Sequence, residues 1–221
     1  MPYFEFLNEL KEYAEPKFAD FQRKLIFTDR EILGVRTPKM RELAKKYFSN
    51  IDEFLSYPNE YYETVFIKLT MVSLLPYARF VEALPSCIEL MDNWALCDSF
   101  KAKCIRKNKE EFLTILEALF QTDGEYFQRY PLTVLLFEYV EEKYLHRIKE
   151  FILNADTSYY YVHMAVAWLL AEILIQYYDY GIAILKSGEI PAKTHNKAIQ
   201  KARESFRLSK NQKEYLHSLK V

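Results

Sequence analysis

Gly34-Val35-Arg36-Thr37-Pro38-Lys39-Met40-Arg41-Glu42-Leu43-Ala44-Lys45 reads as the opening of a helix. Thr37 is a capping residue type, and Pro38 suits a first helical position, where its missing N–H is not needed. Outward from this segment in both directions, apolar residues recur at three- and four-residue intervals, broken by short punctuation of capping character. The pattern predicts helices near residues 3–14, 17–26, 38–48, 51–56, 60–75, 77–91, 94–105, 109–121, 124–138, 141–153, 158–177, 179–186, 194–206 and 210–219. Asp92 or Asn93 can cap the seventh of these, and Ser209 the last.

Composition agrees with an all-α fold. Glycine occurs only four times in 221 residues, and the eight prolines mostly stand where helices can begin, which argues against a loop-rich β protein or a glycine-cradled phosphate site. Half of the residues are apolar, enough for a substantial core. No Gly/Ser- or Pro-rich linker divides the chain, so residues 1–221 are expected to form a single domain. Antiparallel helix pairs of roughly 35 to 45 residues fit a HEAT-like α-solenoid with a concave face, and a compact helical bundle is the competing architecture.

Several function classes are disfavoured. Thirty basic and 31 acidic side chains leave a formal net charge of −1, so no global positive field attracts a polyanion and any nucleic-acid binding must rest on local clusters. Cys87, Cys97 and Cys104 lack paired CxxC spacing and suit reduced thiols in a cytoplasmic protein. The four histidines have neither metal-ligand spacing nor an obvious nucleophile partner and read as surface or packing residues. Neither a signal peptide nor a membrane span is apparent.

Two arrangements could carry chemistry. Trp94 and Asp98 stand one helical turn apart, and the second tryptophan, Trp168, lies in the long apolar stretch after Tyr159-Tyr160-Tyr161. Read blandly, both tryptophans are core anchors and Asp98 is a capping or solvated acid. Read sharply, they are aromatic surfaces with a carboxylate between them, suited to a cation or to positive charge developing in a transition state. The basic residues fall in three clusters: Arg36, Lys39, Arg41, Lys45 and Lys46; Lys101, Lys103, Arg106, Lys107 and Lys109; and Lys193, Lys197, Lys201, Arg203, Arg207 and Lys210. Each is ordinarily a solvated helix face, and aligned on one surface the three could follow a phosphate backbone.

The segment 34–45 resembles the GxxTPxxRxLxK signature of the HEAT-like-repeat alkylpurine DNA glycosylases, the AlkD family. In the same order, Asp92-Asn93-Trp94-Ala95-Leu96-Cys97-Asp98 resembles that family's W-x-x-x-D catalytic element, Gln128-Arg129 its phosphate-contacting arginine region, and Ala167-Trp168 its second cleft tryptophan. The resemblance implies a catalytic cleft of Trp94, Asp98 and Trp168, with Arg129 on the phosphate backbone. It also implies hydrolysis of the N-glycosidic bond of cationic N3- or N7-alkylpurines without metal or cofactor. DNA contacts are expected from Arg36, Lys39, Arg41, Lys193 and Lys197, with double-stranded DNA as partner and a monomeric protein.

Departures accompany the matches. Where active members usually carry a basic residue and an arginine around the second tryptophan, this chain has Met164 and Ala171. Tyr13-Ala14-Glu15-Pro16-Lys17 passes almost directly between helices, leaving little room for an additional DNA-facing helix. With Thr194-His195-Asn196-Lys197, these features resemble a divergent paralogue branch with weak or lost activity. The alternative function is therefore a non-catalytic scaffold that binds DNA weakly or a protein partner.

Overall fold

The computed structural model describes residues 3–221, and among these the chain is helical without strands. It divides into two compact units, Met1–Lys109 and Glu110–Val221. The first contains α1 (Tyr3–Glu12), α2 (Pro16–Arg23), α3 (Thr37–Lys46), α4 (Ile51–Leu55), α5 (Tyr62–Val72), α6 (Tyr77–Glu89) and α7 (Trp94–Ser99). The second, opened by α8 (Lys109–Phe120), continues with α9 (Glu125–Glu138), α10 (Leu145–Asn154), α11 (Tyr160–Gln176), α12 (Tyr178–Lys186), α13 (Ala192–Glu204) and α14 (Lys210–Ser218).

Within each unit, every second helix forms a packed row. In the first, α3 lies on α5 and α5 on α7, while α4 and α6 pack against α5. In the second, α9, α11 and α13 form the row, with α10 on α9 and α12 on α11. The central member of each row is the most buried. All positions of α5 from Tyr62 to Leu69 are buried, and α11 buries ten residues from Val162 to Leu174, as near-continuous apolar sequence requires of a helix covered on several sides. Gly181 lets α12 approach α11: a Cβ there would meet the Leu174 Cα at 2.9 Å.

Local chemistry sets most boundaries. Asn93 caps α7, its side chain accepting the Ala95 and Leu96 N–H groups at 3.0 and 3.1 Å, and Ser209 opens α14 with a full capping box closed by Gln212. Pro16 and Pro38 occupy first-turn positions of α2 and α3. Thr37 does not cap α3. The extended cap residue is Arg36, so Thr37 already belongs to the helix. Pro85 and Pro131 lie inside α6 and α9 rather than at helix starts.

The helix expected over 94–105 is two elements. Phe100 leaves helical geometry with ψ 82° and is buried beside Phe80, their ring centroids 5.6 Å apart, before a 3-10 helix resumes at Lys103–Lys107.

Before α3 the chain is clamped from a distance. The buried carboxylate of Glu63 on α5 accepts the N–H groups of Leu33, Gly34 and Val35 at 3.1, 2.7 and 3.2 Å, and Arg23 donates to the Ile32 carbonyl at 2.8 Å. Gly34 adopts φ +83°, and a Cβ there would lie 2.4 Å from the Glu15 carbonyl oxygen. The glycine is thus required both by backbone conformation and by close approach.

Candidate nucleic-acid interface and active site

In the first unit the candidate residues lie on α7, with the residues that hold it. Asn93, fully buried, fixes the helix start and donates to Asp92 Oδ1 at 2.6 Å. Leu96 and Cys97 are buried in the core, and the flanking positions Trp94, Ala95, Asp98 and Ser99 are less buried. Trp94 is 37% exposed, and its indole Nε1–H donates to the Leu25 carbonyl at 3.0 Å. That bond fixes the ring from a segment almost seventy residues earlier in sequence. Asp98, one turn further on, is half-buried. The unit therefore presents an anchored, partly exposed π surface and a carboxylate on adjacent turns.

The second unit carries Trp168 on α11. Its partly exposed ring meets Phe137 edge-on, with centroids 5.4 Å apart and planes at 90°. The Lys201 ammonium from α13 lies 5.9 Å from the Trp168 ring centroid, showing that this ring already accommodates positive charge. Met164 is half-buried, and Ala171 is buried among the α11 core positions.

Arg129 is not a side chain presented to solvent. It is 4% exposed, its Nη1 donates to the Tyr161 carbonyl at 2.6 Å, and the guanidinium lies 5.6 Å from the Tyr161 ring centroid. Its observed bond joins α9 to the start of α11. Arg36 is exposed, but Glu15 holds it in a forked pair through Nε and Nη2 at 3.0 and 2.7 Å, and it stacks on Phe18 at 3.8 Å. This hydrogen-bonded pair pushes the Glu15 carboxyl below and the Arg36 guanidinium above their ordinary values.

Lys39 donates to Glu42 at 2.8 Å, a bond that raises its pKa, and lies 4.3 Å from the Tyr13 ring centroid. Arg41 and Lys193 are exposed, and Lys197 donates to neutral Gln200 at 3.0 Å.

His163 lies near the start of the same helix as Trp168. It is buried, with Nδ1 2.8 Å from Thr194 Oγ1, linking α11 to α13. Burial first, then the charges of Lys193 and Lys197, push its pKa down and favour the neutral ring. Nothing in its sequence spacing distinguished this role from ordinary packing. Equally invisible in sequence were the contacts of Leu25 and Asp92, because they close loops of more than sixty residues.

Alternate helices and a pair of anchored, partly exposed tryptophans, one followed by an acid, describe an all-helical protein with surfaces suited to positive charge. Residues 6–205 match the family described as DNA alkylation repair enzyme, and the chain belongs to that family. No curated protein matches it in sequence. Among the described residues, no helix is long and apolar enough to cross a membrane, and no group of three or more His, Cys, Asp or Glu is placed to hold a metal ion.

Proposed function

We propose that this member of the DNA alkylation repair family is a glycosylase that hydrolyses the N-glycosidic bond of cationic N3- or N7-alkylpurines in duplex DNA, with Trp94, Asp98 and Trp168 as its catalytic residues. The observation that carries this reading is the anchoring of Trp94 by the Leu25 carbonyl one turn before Asp98. A ring held in place before substrate arrives offers its negative face to a cation without reorganisation. The alternating helix rows within each unit support HEAT-like repeats as the framework.

In the proposed reaction the C1′–N bond breaks and its electron pair returns to the purine ring, neutralising the alkylated base. The sugar is left as an oxocarbenium ion. Asp98 stabilises that charge and orients a water whose oxygen attacks C1′; the proton lost by the water passes to the carboxylate and then to solvent. The tryptophan faces favour the charged base and the charged sugar, so their contribution is electrostatic as well as steric.

Purified protein should release N7-methylguanine or N3-methyladenine from alkylated DNA. Loss of a preorganised electrostatic group generally costs about 10²–10³ in rate, and that is the loss expected for Asp98→Asn and Trp94→Ala. Base release at the uncatalysed rate in the presence of excess wild-type protein would reject the reading.

A second reading has an observation of its own in favour. Arg129 is buried and bonded to Tyr161, and Arg36 is neutralised by Glu15, so two of the expected phosphate contacts already have partners within the protein. These features, with Met164 and Ala171, fit a non-catalytic scaffold. Such a scaffold would show little duplex affinity even at low salt, whereas a DNA-binding glycosylase would lose substantial affinity as salt rises.

A further inference from the structure

One carboxylate reaches both partners of the bond that anchors Trp94. Asp92 stands immediately before Asn93, the α7 cap, and its side chain is partly buried. Its Oδ1 accepts from Asn93 Nδ2 at 2.6 Å, while Oδ2 accepts from Thr28 Oγ1 at 2.5 Å and lies 2.6 Å from Arg30 Nη1. Asn93 begins the helix that carries the Trp94 donor, and Thr28 and Arg30 belong to the segment between α2 and α3 that carries the Leu25 acceptor. The same side chain thus holds the donor side and the acceptor side of one hydrogen bond.

Each partner meets Asp92 as a donor. Asn93 Oδ1 is occupied by the Ala95 and Leu96 N–H groups, which turns its amide nitrogen to Asp92. Thr28 Oγ1 accepts the Arg30 backbone N–H at 3.2 Å, so its own proton is directed at the carboxylate. Arg30 is held on its other side by donating through Nε to the Asn59 carbonyl at 3.1 Å. Three converging donors suit a carboxylate, which offers acceptors only; an amide at this position would turn N–H groups toward at least one of them. Buried Ile26 also holds the segment to the core, but apolar burial has no direction, so the aim of the Leu25 carbonyl falls to these hydrogen bonds.

We infer that Asp92 is a positioning residue for Trp94 and Asp98, holding the segment that bears the Leu25 carbonyl against the α7 cap and so setting the indole orientation and the start of the helix that carries the acid. Its consequence for rate rests on the glycosylase reading; the orientation of the ring does not. Asp92 acts wholly through Asn93, Thr28 and Arg30, and its role requires no contact between DNA and the segment they belong to. Its loss is therefore read first in the Trp94 ring and only then in chemistry.

The chain has two tryptophans, so a proton–nitrogen correlation spectrum of the full-length protein shows two indole N–H signals, which Trp94→Phe assigns. Asp92→Asn should move the Trp94 signal upfield and raise its solvent exchange several-fold, leaving the Trp168 signal in place. Single-turnover base release should fall roughly 10- to 100-fold at unchanged duplex affinity, because a misplacement of about 1 Å costs about 10² in rate. Asp92→Glu, which keeps an acceptor-only side chain, should recover part of both. Thr28→Val removes one donor alone and should give a smaller shift of the same sign, which decides the matter where Asp92→Asn does not fold. Leu10→Val, in the buried core of α1, controls for general loosening and should move neither readout. An unmoved Trp94 signal, equal displacement of both indoles, or the same losses in Leu10→Val would overturn the inference, as would undiminished base release by Asp92→Asn. A Trp94 shift in a protein whose wild type releases no base rejects the glycosylase and leaves the positioning of the ring standing.

Discussion

Glu63 grips Gly34 across thirty residues of sequence, its buried carboxylate accepting the glycine N–H at 2.7 Å and the flanking amides of Leu33 and Val35 at 3.1 and 3.2 Å. Burial raises the Glu63 pKa, and the backbone amides oppose that shift only in part. The clamp sets the path into α3, and with it the position of Arg36. Leaving several buried amides without acceptors should make Glu63→Ala cost about 3 kcal/mol, whereas Glu63→Gln, which retains one acceptor oxygen, should cost about half as much. Urea unfolding followed by circular dichroism measures both, and equal losses would show that the amides find other partners.

A second buried charge gives a pH signature. Lys68 on α5 donates to the Leu55 carbonyl at 2.9 Å, to Asn59 Oδ1 at 2.8 Å and to the Tyr57 carbonyl. Burial first, then the Arg30 charge, pushes its pKa down to about 8 from an ordinary value of 10.5. Between those values the unfolded chain binds more protons than the folded one, so the contribution of Lys68 to stability rises as pH increases from about 8 towards 10.5. Lys68→Met removes this dependence. Stability measured at pH 8 and pH 10 should therefore rise more, or fall less, in wild type than in the variant, and parallel pH profiles would reject the assignment.

These clamps mark where sequence reading stops. Asn93, Ser209 and Pro38 announce their helices through local chemistry, and the three- and four-residue apolar rhythm gives the helical class without tertiary information. The start of α7 was legible for the same reason. Its end was not, because Phe100 leaves the helix to pack beside Phe80, a choice made by tertiary contact. Likewise, the spacing of Trp94 and Asp98 shows a shared helix face, but the hydrogen bond that anchors the indole comes from Leu25. Arg129 illustrates the converse: the family resemblance implies a phosphate contact for it, yet the fold buries the side chain against Tyr161.

The two properties of Trp94 can be separated. Phenylalanine retains an aromatic face but cannot donate to the Leu25 carbonyl, whereas alanine removes both ring and bond. Loss of one neutral hydrogen bond corresponds to about 0.5–1.5 kcal/mol, so Trp94→Phe should reduce base release by roughly 2- to 13-fold, far less than Trp94→Ala. Single-turnover rates on alkylated duplex distinguish the cases. A Phe variant as inactive as Ala would make indole anchoring, rather than the π face alone, the dominant contribution of this residue.

Salt dependence can separate cations engaged by the protein from those available to DNA. Arg36 is paired with Glu15 through two nitrogens, whereas Lys193 is exposed near the start of α13. A lysine that neutralises one phosphate contributes about one unit to the slope of log affinity against log salt, so Lys193→Ala should flatten the slope by about one. Arg36→Ala should change it much less, because Glu15 already offsets the arginine charge. Anisotropy titrations on one duplex at several salt concentrations read both slopes. Equal flattening in the two variants would mean that Glu15 yields Arg36 to phosphate on binding. An unchanged slope in Lys193→Ala would remove α13 from the DNA-contacting surface and leave that role to exposed cations such as Arg41 on α3.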